Sequence, residues 1–116
     1  GDESVIPAIA GVCGSIDRAT RGIAVIEVGH PDDVQELGQP DGVEVHWIHR
    51  GDERQGQAGL RALADLDLPA DVGYAYAAGE QSLATGARRH LVKHRGVDKE
   101  QVTFTGYWRL GKSYVS

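Results

Sequence analysis

Four short apolar runs, separated by stretches of helical period, constrain this chain more than any other feature of it. The runs are residues 23–28, 43–48, 72–78 and 102–108. A continuous apolar run of this length suits a strand covered on both faces. In the second run Val43, Val45 and Trp47 share a face, while His46 and His49 point to opposite faces. Residues 4–16 bring Val5, Ile6, Ile9, Val12, Cys13 and Ile16 to helical spacing. Pro7 falls in the first turn, where a missing N–H is tolerated, and Asp2 or Ser4 can cap it. Residues 57–66 suit a short helix with Leu60, Leu63 and Ala64 inward and Pro69 beyond its end. Residues 80–95 have the fullest stripe (Leu83, Ala84, Ala87, Leu91, Val92), a basic last turn, and Gly96 as the stop. Residues 29–42 hold two prolines and three glycines and read as a loop.

Strands alternating with helices at this spacing imply right-handed βαβ units and a mostly parallel sheet. The order has a gap, however. The chain opens on a helix whose entry turn, Gly1-Asp2-Glu3-Ser4, has the character of an exit from a strand. In a doubly wound sheet that first strand is usually central. The expected architecture is one α/β domain over residues 1–116, with four strands from this chain and a central slot beside the first helix. The length of 116 residues suits a single domain with a real core.

No apolar run approaches the roughly 20 residues that span a bilayer, so no membrane insertion is expected. The acidic opening lacks the basic, apolar pattern of a leader. The single cysteine, Cys13, excludes an internal disulfide and a cysteine zinc cluster, and fits a reducing cytoplasm. It lies in a helix stripe and reads as a buried structural thiol. A net charge of −5 argues against nucleic acid. The distribution is uneven: Arg88, Arg89, Lys93, Arg95, Lys99, Arg109 and Lys112 face only Asp98 and Glu100 in residues 88–116. Such a basic quarter suggests a local anionic ligand, although Arg88, Arg89, Lys93 and Arg95 read first as a solvated helix face.

Ligands on open parallel sheets bind beyond the carboxyl ends of the strands. The turns there are Gly1–Ser4, Glu27–His30, His49–Gly51, Ala78–Glu80 and Tyr107–Arg109. The first and fourth open helices, whose N-termini suit a pyrophosphate, and Gly1 and Gly79 would permit close approach. Both turns also carry acids, which oppose phosphate. Glu27 at a strand end could accept from ribose hydroxyls, and Arg50 could meet a 2′-phosphate. Tyr107, Trp108, Arg109 and Lys112 gather two aromatics and two cations at one strand end, able to stack on a flavin or catecholate ring and hold anionic oxygens. His90 and His94, four apart on one helix, have no acidic third ligand at a useful spacing, so no metal site is expected. A receiver-like signalling module would use Asp2-Glu3 as its acidic pair, but the third strand would then need an aspartate where this chain has His49-Arg50.

The segment Gly1-Asp2-Glu3-Ser4-Val5-Ile6-Pro7-Ala8-Ile9 resembles the Gly-Asp-Glu-Thr-x-x-Pro-Ala-Ile stretch of siderophore-interacting proteins, flavin-dependent ferric-siderophore reductases related to ferredoxin reductases. Three further blocks match in order: Trp47-Ile48-His49-Arg50-Gly51; Ala78-Gly79-Glu80 leading to Arg88-Arg89-His90-Leu91 and Arg95-Gly96; and Gly106-Tyr107-Trp108-Arg109-x-Gly111. The resemblance implies a ferredoxin-reductase-like domain that binds NADH or NADPH and follows an N-terminal FAD-binding β-barrel of the same protein. Hydride would pass to FAD, then single electrons to Fe(III) in a siderophore, with Fe(II) released. It implies Gly1, Asp2, Glu3, Ser4 and Pro7 on the phosphate side, Ala78, Gly79 and Glu80 near the nicotinamide, and Trp108 beside the cofactors. It gives Arg109, then Lys112 and Arg50, to the anionic siderophore. Ser4 stands where the family has threonine and keeps the hydroxyl. Without its barrel the fragment should reduce nothing by itself.

Overall fold

The computed structural model describes residues 1–111. Its regular elements are α1 (Ile6–Ser15), β1 (Gly22–Val28), β2 (Val43–His49), α2 (Gln57–Asp65), β3 (Ala75–Glu80), α3 (Gln81–Arg89) and β4 (Val102–Trp108). A 3₁₀ turn, Glu3–Val5, leads into α1.

The strands form two parallel pairs, β1 with β2 and β3 with β4. Between the pairs lies the expected slot. Only its carboxyl end is filled: the Gly1 nitrogen donates to the Val25 carbonyl at 2.9 Å, the Glu27 N–H donates to the Gly1 carbonyl at 2.9 Å, and Asp2 pairs in parallel with Glu27. Gly1 also lies against β3, where a Cβ on it would stand 2.8 Å from the Ala78 carbonyl oxygen.

Side chains alternate across β1 and sort the helices onto two faces. Ile26 and Val28 are fully buried and cluster with Ile6 and Cys13 of α1 and with Leu37 of the long loop, while Ile9, Ala10, Val45 and Trp47 pack around them. Burying each large aliphatic contributes about 1.5–3 kcal/mol. Glu27 points the other way, to the start of α2. Helices α2 and α3 touch each other, with α2 on β1 and β2 and α3 on β3 and β4. Burial pushes the Cys13 thiol up, against the nearby Arg18, so the thiol is held protonated within the core.

The third strand differs from the sequence expectation. It runs Ala75–Glu80, not 72–78. Val72 packs instead against Leu91, Val97 and Val102, below the point where the ladder starts at Ala75 and Val102. At the other end a bulge between Gly79 and Glu80 carries the strand to Trp108. Gly79 has φ +126°, a conformation open to glycine, and a Cβ there would lie 2.6 Å from an Asp2 carboxylate oxygen.

The long third helix changes character at its end. Residues His90–His94 form a π turn closed by the Arg95 N–H donating to the His90 carbonyl at 3.2 Å. The Arg95 guanidinium then donates to the carbonyls of Ala64 (2.9 Å) and Leu66 (2.5 Å), satisfying the C-terminal end of α2. Its Nε donates to His90 Nε2 at 2.9 Å. His90 is therefore a neutral acceptor, and burial, Arg95 and His94 all hold its pKa below the ordinary value.

Two outcomes follow. In β1 the even-numbered residues bond to β2, leaving the Ile23 and Val25 amides facing the slot. In this chain they should exchange with deuterium faster than those of Ala24 and Ile26, and an upstream apolar strand should protect them. Because the folded state disfavours protonated His90, stability should be full above about pH 6.5 and fall as the pH drops through and below it. Urea midpoints against pH should flatten over that window in His90→Phe.

Candidate functional site

The carboxyl edge of the sheet gathers the strand-end parts of the four sequence blocks singled out above, and carboxylates join them. Asp2 is fully buried. Its Oδ1 accepts from the Ser4 N–H at 3.0 Å and from the Ser4 hydroxyl; its Oδ2 accepts from the Glu80 N–H at 2.8 Å. One side chain thus starts the first helix and clamps the end of β3. Its neighbour Glu3 reaches the other way and meets Arg50 Nη2 at 2.6 Å and 2.9 Å. The Arg50 Nε donates to Glu27 at 2.9 Å. Burial alone would lower the Arg50 pKa, but its bonds to Glu3 and Glu27 outweigh it and raise the pKa. The fourth block closes the network, with the Trp108 indole N–H donating to the Ser4 hydroxyl at 3.3 Å.

This arrangement corrects several expectations. Glu27 is not a ribose acceptor: it is fully buried, and its oxygens accept from the N–H groups of Gly56 (2.8 Å) and Gly59 (3.0 Å) at the start of α2. Arg50 is not a free cation for a siderophore or a 2′-phosphate, since two carboxylates neutralise it and its side chain is 14% exposed. Asp2 and Glu80 do not confront an incoming phosphate either. They are buried caps, Glu80 accepting from the Ser82 N–H at 2.9–3.0 Å. Ala78 is buried, and the space above Gly79 is filled by Asp2, so neither Gly1 nor Gly79 opens a ligand cradle. Pro7 sits exposed at the start of α1.

The helix ends can be tested directly as seats for a dinucleotide pyrophosphate. At the first, the Ser4 N–H is held by Asp2, the Val5 N–H by the Asp2 carbonyl, the Ile6 N–H by the Glu3 carbonyl, and Pro7 has none. At α2 the Gly56 and Gly59 N–H groups go to Glu27 and the Gln57 N–H to the Arg54 carbonyl, and at α3 the Ser82 donor goes to Glu80. Carboxylates thus take up part of the donor set at each of these ends.

The expected aromatic pair also separates. Tyr107 and Trp108 lie at the irregularity of the β3–β4 ladder and reach different partners. The Tyr107 hydroxyl lies 3.3 Å from that of Tyr76 on the face away from α3, and this bond, with burial, pushes the Tyr76 pKa up to about 12. Only Trp108 meets the Gly1–Ser4 turn. Arg109 remains exposed and lines a groove of about 380 Å³ with Leu60, Gln81, Ser82, Thr85, Gly86 and Arg89. Sequence reasoning missed Arg89, treating it as part of a solvated helix face; the signal was its i+4 spacing from Thr85, which puts both on one side of α3. Lys112 lies outside the described residues. Among the described residues no three His, Cys, Asp or Glu side chains gather as a metal site. The rings of His90 and His94 stack with centroids 5.5 Å apart.

Parallel strand pairs with helices on both faces and a built-up carboxyl edge define a doubly wound α/β domain of nucleotide-binding type. The chain belongs to the siderophore-interacting protein family, whose profile matches residues 1–111. It is 37% identical over 125 residues to an uncharacterized protein of Mycobacterium tuberculosis, covering 97% of this chain and 44% of that one. It is 27% identical to the ferric vibriobactin reductase ViuB of Vibrio cholerae, covering 97% of this chain and 42% of the reductase. Among solved structures it resembles the siderophore-interacting protein SipS of Aeromonas hydrophila (TM-score 0.84, 29% identity, 97% of this chain and 45% of SipS). It also resembles a siderophore utilization protein of T. fusca (TM-score 0.80, 33% identity, 99% and 45%). The chain thus spans less than half the length of these relatives. No helix among the described residues is long and apolar enough to cross a membrane.

The buried Glu27 network yields a stability test. Glu27→Gln keeps the shape but leaves Arg50 half-neutralised and puts an amide against a backbone donor. It should cost about 3 kcal/mol in urea denaturation, whereas Glu53→Gln, at an exposed pair with Arg61, should leave the urea midpoint nearly unchanged.

Proposed function

We propose that this chain is the nicotinamide-nucleotide domain, residues 1–116, of a cytoplasmic ferric-siderophore reductase whose FAD is held mainly by an N-terminal β-barrel of the same protein. The carrying observation is family membership across residues 1–111, with a ferric reductase among the relatives. Bound NADH or NADPH and FAD would supply the electrons that reduce siderophore-bound Fe(III) to the weakly held Fe(II).

This chain's own residues prepare the edge for that work. Asp2 fixes the Gly1–Ser4 turn to the end of β3, and Trp108 covers the Ser4 hydroxyl. The Glu3–Arg50–Glu27 chain holds the edge in one arrangement across three strand ends. Arg89 and Arg109 stay exposed and line a groove beside α3. The receiver-like alternative loses its acidic pair here, because Asp2 is spent on backbone donors and Glu3 on Arg50.

The test is to purify the full-length parent protein. It should carry a yellow flavin that bleaches anaerobically with NADH or NADPH and recovers its colour on adding a ferric siderophore. Absence of flavin, or a flavin indifferent to both nucleotides, overturns the proposal.

A further inference from the structure

We propose that the free edge of β4 is a self-association surface, where the strand pairs antiparallel with β4 of a second copy of this chain. The proposal stands on the sheet and its charges, and is independent of the redox reading above.

The two outer strands differ in character. On one side, β2 carries Glu44, His46 and His49, and the long loop lays Leu37 into the same cluster as its Val45 and Trp47. Charged side chains and covering loops are the means by which proteins keep an edge from pairing with other chains. On the other side, β4 pairs with β3 and has no second ladder partner among the described residues. Its seven residues, Val102–Trp108, contain no charge and no proline. Five of them, Val102–Gly106, keep unbroken register with β3, and the irregularity comes only after Gly106. Along that stretch alternate backbone N–H and C=O groups face outward.

Exposed apolar side chains gather at this same edge. Six large hydrophobic residues are exposed among those described. Phe104, Tyr107 and Leu110 lie on β4 or just past it, and Tyr74 directly precedes β3. Phe104 is 44% and Tyr107 53% exposed, although the Arg88 guanidinium lies 5.0 Å from the Phe104 ring centre. An apolar cluster of this kind marks an interaction surface.

Charge identifies the occupant. Asp98, Lys99 and Glu100, two acids and one base, lead into the strand, and Arg109 follows it; all four are exposed. A two-fold axis perpendicular to the sheet makes the pairing antiparallel, so the acidic beginning of each strand meets the basic end of the other. The neutral middle meets itself. The two Phe104 rings come together near the axis, and aromatic pairs across strands are favourable. Parallel pairing would instead set like ends side by side.

The experiment uses the full-length parent protein, in sedimentation velocity over a dilution series and in amide exchange at both ends of that series. The wild type should form a dimer that dissociates on dilution, and the amides of Val102–Gly106 should lose protection as it does. Phe104→Glu sets two carboxylates at the axis, and Thr103→Lys adds a charge to the edge. Each should raise the dimer dissociation constant about tenfold or more. Both sites are exposed, and the far-ultraviolet circular dichroism of each variant reports that it is folded; should one fail, the other carries the test. Glu100→Arg and Arg109→Glu should each weaken the dimer, and the double variant should recover it. A parent that stays monomeric at every concentration overturns the proposal, whether its β4 amides are open or covered by another segment of the protein. So does a dimer indifferent to Phe104→Glu and Thr103→Lys, or one whose dissociation leaves the β4 amides unchanged. A double charge variant weaker than either single one overturns the antiparallel arrangement. None of these outcomes depends on flavin or nucleotide.

Discussion

The buried Asp2 carboxylate is the constraint on which the rest of this structure depends. The two strand pairs share no ladder along most of their length, and the segment between them is represented by Gly1 and Asp2 alone. Asp2 holds both sides at once, pairing with Glu27 through its backbone and accepting the Glu80 N–H through its side chain. A carboxylate this buried survives only with its lone pairs occupied, and the N–H and hydroxyl of Ser4 complete that set. The Gly79 bulge follows from the same contact, because no Cβ fits beneath the Asp2 oxygens.

The same device recurs along the edge. Glu27 caps α2 from a strand, and Glu80 caps α3 from the residue before it. Capping a helix with a fixed carboxylate exchanges a binding opportunity for rigidity: the dipole and free donors that would attract an anionic ligand are consumed internally. The acids that looked like obstacles to phosphate are inside the protein, and the arginine that looked most available, Arg50, is the counter-ion of two of them.

Much of the fold was legible from periodicity. The helical stripe at Ile6, Ile9 and Cys13 and the alternation of Val43, Val45 and Trp47 predict one face of the core, and all of these but Val43 do meet around Ile26 and Val28. The slot between the strand pairs was legible too, since the Gly1–Ser4 turn before the first helix has the character of an exit from a strand. The third strand starts three residues later than expected because Val72 is apolar for a satellite cluster rather than for the ladder. Periodicity reports burial, and burial against a loop or against a sheet looks the same in one dimension. The separation of Tyr107 from Trp108 falls at a ladder irregularity, which periodicity does not report.

By itself the sequence determined the order of elements, the parallel pairing with a place for one more strand, and the four blocks that belong at one edge. Those properties rest on local spacing and on family pattern, both of which are written along the chain. Only the tertiary structure decided what the charged residues of those blocks do. Asp2, Glu27 and Arg50 find partners 78, 29 and 47 positions away, and a charge acquires its role from the donor it faces, not from its neighbours in sequence. Hence the residues that read as ligands became the frame, and Arg89, which read as solvated surface, lies beside Arg109 in the groove.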